Sequence, residues 1–204
     1  YVSRKKNLPE EFGIIDHLYK GKNEMWFTSW FSKGLYTTDR NWNITKHFNF
    51  KKNDIEREAI NSYFVDRKNQ EWLCTDGGLL LKKGENTFQT FKDLTFLLPN
   101  EDKNIFEFKE IVETKEGLFW LKTRSSGIYL FDPEAKKFLK RYPLQKDEVS
   151  SRVFHLFLDE NQTLWAATET GIFYFDSKID LLILIKLIGI KSMAICWVTG
   201  FSES

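Results

Sequence analysis

The chain has 204 residues, 42% hydrophobic and 29% charged, a balance that excludes a disordered polymer and fits one or two globular domains. Lys+Arg (30) and Asp+Glu (29) nearly cancel, for a formal net charge of +1, and no block of like charge marks a nucleic-acid surface. Two cysteines, Cys74 and Cys196, do not make a disulfide framework and leave the redox compartment open.

The chain opens at Tyr1 with no basic-then-apolar leader, as expected of a piece of a longer product. From residue 8 onward it repeats itself. Trp26, Trp72, Trp120 and Trp165 recur about every 45 residues, a period that points to a repeat architecture. A polar turn precedes each one ("GKNE", "RKNQ", "KEG", "ENQT"). A small hydroxyl residue follows three positions later, at Ser29, Thr75, Thr123 and Thr168. A glycine then reopens an apolar run, at Gly34, Gly78, Gly127 and Gly171.

In chain order, each unit reads as four short strands. "NSYFVD" and "VFHLFLD" are alternating, aromatic-rich first strands ending at the polar turn; "LWAATE" is a second and "GIFYFD" a third. "TKHFNF", "NTFQTF" and "KKFLKRY" supply fourth strands in the first three units. Four strands per ~45 residues is the signature of a β-propeller blade. The reading is therefore all-β: a partial propeller of about four four-stranded antiparallel blades over residues 1–178, with units near 8–50, 51–92, 104–143 and 148–178. The tryptophan column is expected to wedge neighbouring blades apart from water, since one indole buries ~150–250 Å². The glycines are expected at positive φ or close backbone approach, and the Thr/Ser column on loop backbone groups.

No chemistry-bearing constellation emerges. His17, His47 and His155 share no spacing, no Cys/His cluster has metal-ligand spacing, and the carboxylates are scattered. No metal, cofactor or catalytic residue is expected.

The units resemble the two-component regulator propeller repeat, roughly I-x-x-I-x-x-D-x-x-G-x-L-W-I-G-T-x-x-G-L-x-x-Y-D. "VFHLFLDENQTLWAATETGIFYFD" matches along its whole length; "INSYFVDRKNQEWLCTDGGLLL" and "FKEIVETKEGLFWLKTRSSGIYLFD" follow, and the first unit is looser. The turn Gly is replaced by Asn23, Asn69 and Gln162, and the turn Asp by Lys20 and Thr114. The resemblance implies a sensor: the periplasmic part of a hybrid two-component histidine kinase of the kind found in Bacteroidetes, responding to oligosaccharides. It also implies a seven-bladed ring, of which four blades are an arc completed by the remaining blades of a parent chain or by a homo-oligomer. The ligand end is expected at the loops between second and third strands, which hold Trp30, Lys33, Asp76, Arg124 and Glu169. There Trp30 would stack on a sugar and Arg124 would bind a carboxylate. Two other readings are a propeller enzyme of lyase or glycan-cleaving type and a protein-binding scaffold.

After Lys178 the pattern stops. Residues 179–204 form an apolar tail open to three readings: a membrane span over 181–201, opposed by Lys186 and Lys191; a truncated or frame-shifted fifth blade; or strands packed on blade four.

Overall fold

The computed structural model describes residues 15–20, 24–29, 35–48, 60–84, 87–92, 107–124, 126–144 and 152–185. These form four sheets, each of four antiparallel strands paired in chain order. Blade one is β1 (Ile15–Lys20), β2 (Met25–Ser29), β3 (Leu35–Thr38) and β4 (Ile44–Phe48). Blade two is β5 (Ile60–Val65), β6 (Glu71–Thr75), β7 (Gly78–Lys82) and β8 (Phe88–Phe91). Blade three is β9 (Phe108–Glu113), β10 (Phe119–Thr123), β11 (Ile128–Asp132) and β12 (Lys137–Tyr142). Blade four is β13 (Val153–Leu158), β14 (Leu164–Thr168), β15 (Gly171–Asp176) and β16 (Leu181–Ile185). The first strands β1, β5, β9 and β13 lie against one another in succession and form the inner wall of the arc.

The hairpin between first and second strands is built on its aspartate. Asp66 Oδ1 accepts from the N–H groups of Lys68 and Gln70, and Oδ2 accepts from the Trp72 indole at 2.9 Å. Asp159 repeats this with Thr163 N and the Trp165 indole at 2.9 Å. Thr114, shorter and neutral, keeps the backbone part, with Oγ1 accepting from Leu118 N. The residue two before β6, β10 and β14 enters the left-handed region: Gly117 has φ 85° there, and Asn69 (59°) and Gln162 (65°) do so with side chains attached. Left-handed backbone costs an ordinary residue ~1–2 kcal/mol, least for Asn. Gln162 offsets it by reaching into blade three, where its Oε1 accepts from Lys115 N at 2.8 Å. Lys20 departs from the sequence expectation: it lies in β1, paired with Met25, not in the turn.

The Thr and Gly columns cooperate at the next hairpin. Oγ1 of Thr75, Thr123 and Thr168 donates to the carbonyl of Gly78, Gly127 and Gly171. Gly127 has φ +96°, and a Cβ there would sit 2.4 Å from the Tyr142 carbonyl oxygen of β12. Only glycine lets the outer strand approach that closely.

Each of the first three tryptophans packs onto the following blade. Trp26 stacks on Tyr63 at 4.7 Å, Trp72 meets Phe119 edge-on at 5.1 Å, and Trp120 meets Phe175 at 5.0 Å. Three apolar clusters result, one per blade junction. Trp165 contacts Tyr174 of its own blade and is only half-buried.

Two expectations change. Blade four does not end at residue 178: β16 pairs with β15 from Asp176↔Leu181 to Ile172↔Ile185, so the first apolar residues of the tail are its fourth strand. A membrane-crossing helix over 181–201 is thereby overturned, and among the described residues no helix is long and apolar enough to cross a bilayer. The remainder of the tail, from residue 186, lies outside the described residues. Cys74 is a buried free thiol, not bridged to Cys196, and burial raises its pKa to about 12.

Candidate functional site

Every inner strand carries a β-bulge at the same place. Pairing skips Asp16 in β1, Asn61 in β5, Lys109 in β9 and Phe154 in β13. A bulge turns one side chain out of the alternating pattern and re-aims it. The bulges lie at the end of the arc where the second-to-third-strand hairpins also lie, because Ile60 pairs with Thr75, Phe108 with Thr123 and Val153 with Thr168. This end therefore gathers bulge residues and hairpin residues from successive blades.

Between blades two and three these residues form a closed polar cluster. Lys109 Nζ donates to Asp76 Oδ1 and to Asn61 Oδ1, both at 2.9 Å, and lies 3.8 Å from Glu107. Asn61 Nδ2 donates to Asp76 Oδ1 and to the Phe108 carbonyl, both at 2.8 Å. Of the sequence candidates, Asp76 is thus placed in a preorganised inter-blade cluster. Arg124 and Glu169 occupy the equivalent hairpins of blades three and four and are exposed. Among the described residues no hydrogen bond or ion pair joins Asp76, Arg124 and Glu169. Trp30, Lys33 and Gly34 lie outside the described residues. Phe154, at the bulge of blade four, lies at this end and is 50% exposed.

Asn61, Lys109 and Phe154 were not singled out from the sequence. A signal existed. Ile60 and Tyr63, Phe108 and Ile111, and Val153 and Leu156 each share one apolar cluster although three residues apart. In a strand of period two, an odd spacing on one face requires a bulge between the two residues.

One step along the wall, a second inter-blade cluster ties blades three and four. Glu110 accepts from His155 Nδ1 at 2.7 Å, from Leu156 N at 3.1 Å, and pairs with Lys122 at 3.1 Å. Burial pushes the Glu110 carboxyl up, but the bonds and charges of His155 and Lys122 outweigh it and hold its pKa below the ordinary value. The Glu110 bond in turn holds the His155 imidazole above its ordinary value, against a smaller opposing effect of burial. An open groove of about 580 Å³ runs along this wall, lined among others by Phe64, Val65, Glu113, His155 and Phe157. Burial raises the pKa of Glu113 at its far end. Among the described residues no group of three or more His, Cys, Asp or Glu could hold a metal ion.

This geometry is that of a β-propeller arc with an inner wall of bulged strands. Solved structures agree on the fold. The extracellular domain of BT4673, assigned to a hybrid two-component system of B. thetaiotaomicron, superposes with a TM-score of 0.71 at 18% identity, over 95% of this chain and 25% of its own. The extracellular domain of BT3049 from the same organism gives 0.60 at 17%, over 87% of this chain and 22% of its own. Virginiamycin B lyase from Staphylococcus aureus gives 0.64 at 12%, over 89% of this chain and 58% of its own. The chain thus spans about a quarter of the first two proteins. No family model matches the chain, and no curated protein matches it.

Proposed function

We propose that this chain is a non-catalytic, ligand-sensing segment of a propeller sensor in a two-component regulator, held on the extracytoplasmic, periplasmic side of the inner membrane, with further blades of a longer chain completing the ring. The observation that carries this reading is the hairpin end of the inner wall. There a fixed Asn61–Asp76–Lys109 cluster lies at the same end as the exposed Phe154 and Arg124. An apolar ring face beside fixed polar groups is the chemistry that holds an oligosaccharide: the ring covers the C–H face of a sugar and the polar groups meet its hydroxyls. The structural likeness to two extracellular domains of two-component systems supports the signalling role.

Titration calorimetry against a panel of neutral and acidic oligosaccharides tests it. At least one is expected to bind saturably, and Phe154→Ala and Arg124→Ala each to weaken it tenfold or more with the circular dichroism unchanged. Absence of binding across the panel, or unchanged affinity in both variants, overturns the site. The likeness to virginiamycin B lyase favours a second reading, a lyase-type enzyme. That reading requires turnover of a cyclic lactone or glycan. A scaffold instead requires a stable protein partner and no response to saccharides.

A further inference from the structure

Among the described residues, the hairpin end of blades three and four is rich in cations. Arg124, Lys122, Arg152 and His155 surround Phe154, against the carboxylates of Glu110 and Glu169. The backbone fixes this placement. Lys122 in β10 donates to the Phe154 carbonyl, which sets the Arg124 hairpin beside the β13 bulge. Glu169 N donates to the Arg152 carbonyl at 3.0 Å, which sets the blade-four hairpin beside the start of β13. Lys122 is paired with Glu110, so the arginines and His155 are left to meet a ligand. Between blades two and three the balance is reversed, because Lys109 faces the two carboxylates of Asp76 and Glu107. An anionic group arriving at this end is drawn to blades three and four.

Histidine is the side chain whose charge ordinarily changes near neutral pH. His155 Nδ1 is committed to Glu110 at 2.7 Å, and among the described residues Nε2 has no partner. The imidazole is 61% exposed, follows Phe154 directly and lines the inner-wall groove at its hairpin end. We propose that the ligand is an acidic oligosaccharide, with one sugar ring covered by Phe154 and its carboxylate or sulfate held by Nε2–H of protonated His155 and by Arg124. This inference rests on the oligosaccharide reading of the site. Glu110 has two parts in it. It fixes the ring so that Nε2 is the nitrogen left over, and its bond outweighs burial to favour the protonated form. The charged groups facing the ring are Glu110 on β9 and Lys122 on β10, the first favouring its charge and the second opposing it. Arg152 and Glu169 flank it on its own blade, and Arg67 and Glu113 line the far end of the groove. A charge-assisted bond from an imidazolium to an anion is stronger than one from a neutral ring, so binding weakens as His155 loses its proton.

The test is titration calorimetry of the full chain at pH 6 and pH 8.5, at one ionic strength, with acidic oligosaccharides each paired with a neutral twin. The pairs are trigalacturonate and its methyl ester, a hyaluronan tetrasaccharide and its carboxyl-reduced form, and a κ-carrageenan tetrasaccharide and its desulfated form. At least one acidic member is expected to bind tenfold or more tighter than its twin at pH 6, and to lose fivefold or more at pH 8.5 while the twin is unchanged. The pair that responds tells carboxylate from sulfate. His155→Gln is expected to abolish the pH step in binding. In the unaltered chain, NMR of the imidazole C–H should show the His155 titration midpoint rising with the acidic ligand and not with its twin, which a merely structural histidine does not do. Twins that bind as tightly as the acids, a pH step that survives His155→Gln, or an unmoved midpoint overturn this inference and leave the oligosaccharide site standing. Absence of binding by every member of the panel overturns both.

Discussion

Asp66 shows how much of a blade rests on one side chain. Its two oxygens satisfy two turn N–H groups and the indole of a fully buried tryptophan. An orphaned buried donor costs ~1–3 kcal/mol, because the indole N–H gives up water for nothing. Asp66→Ala is therefore expected to lower stability by about 2–3 kcal/mol in urea denaturation. Asp66→Asn, which keeps one acceptor oxygen but aims an NH₂ at the turn or the indole, should cost about half as much. If Asp66→Ala costs under about 0.5 kcal/mol, the aspartate does not organise the turn. Thr114 shows that the backbone part of the arrangement survives without a carboxylate. The loss is accordingly expected to fall mainly on Trp72.

Between elements, the junction of blades three and four is held by charge as well as apolar packing. Glu110 in β9 bonds His155 and Leu156 N in β13, and Lys122 in β10 pairs with Glu110 and donates to the Phe154 carbonyl. The imidazole, raised above its ordinary 6.5, contributes stability that is full below pH 6.5 and disappears as pH rises through the folded value. The carboxyl, lowered from 4.5, contributes above pH 4.5 and is lost as pH falls through its folded value. The clip is thus strongest between about pH 4.5 and 6.5. His155 is more than half exposed, so screening limits its share to ~0.5–1 kcal/mol. Stability is expected to fall by that amount from pH 6 to pH 8.5, and His155→Gln to remove this dependence; the same slope in the variant would place its origin elsewhere. This element scale is also where sequence reading stopped. Trp, Thr and Gly columns are legible because each fills a local need, an indole wedge, a carbonyl bond or a positive φ, seen in three blades among the described residues. Lys109 and Phe154 share no residue type with Asn61, so their common bulge shows only in the three-residue spacing of the apolar residues around it. Lys20 misled for the opposite reason: its position relative to Trp26 fits the turn column, but the first hairpin closes earlier and keeps it in the strand. The fourth strand of blade four was hidden because "LLILI" is apolar on both faces and carries no alternation.

At the scale of the whole molecule, an arc with separate apolar clusters at its three junctions should behave as a one-dimensional array, each blade coupled to its neighbours alone. Ile60 lies in the cluster between blades one and two, and Ile128 in the one between three and four. Phe108 and Phe138 share the middle cluster and stack at 5.4 Å. Ile60→Val and Ile128→Val are each expected to cost ~0.5–1.5 kcal/mol, and the double variant to equal their sum within ~0.5 kcal/mol, as for sites with no shared partner. Phe108→Leu and Phe138→Leu remove one shared ring contact, so their double variant should fall short of additivity by ~0.5–1.5 kcal/mol. Both cycles are read from urea denaturation under one set of conditions, with hydrogen exchange reporting which blade opens first. Coupling between Ile60 and Ile128 as strong as between the two phenylalanines would mean that strain crosses two blades. The described blades would then form one cooperative body, and a ligand at the hairpin end of blades two to four could transmit its binding through the sheets themselves to blade one.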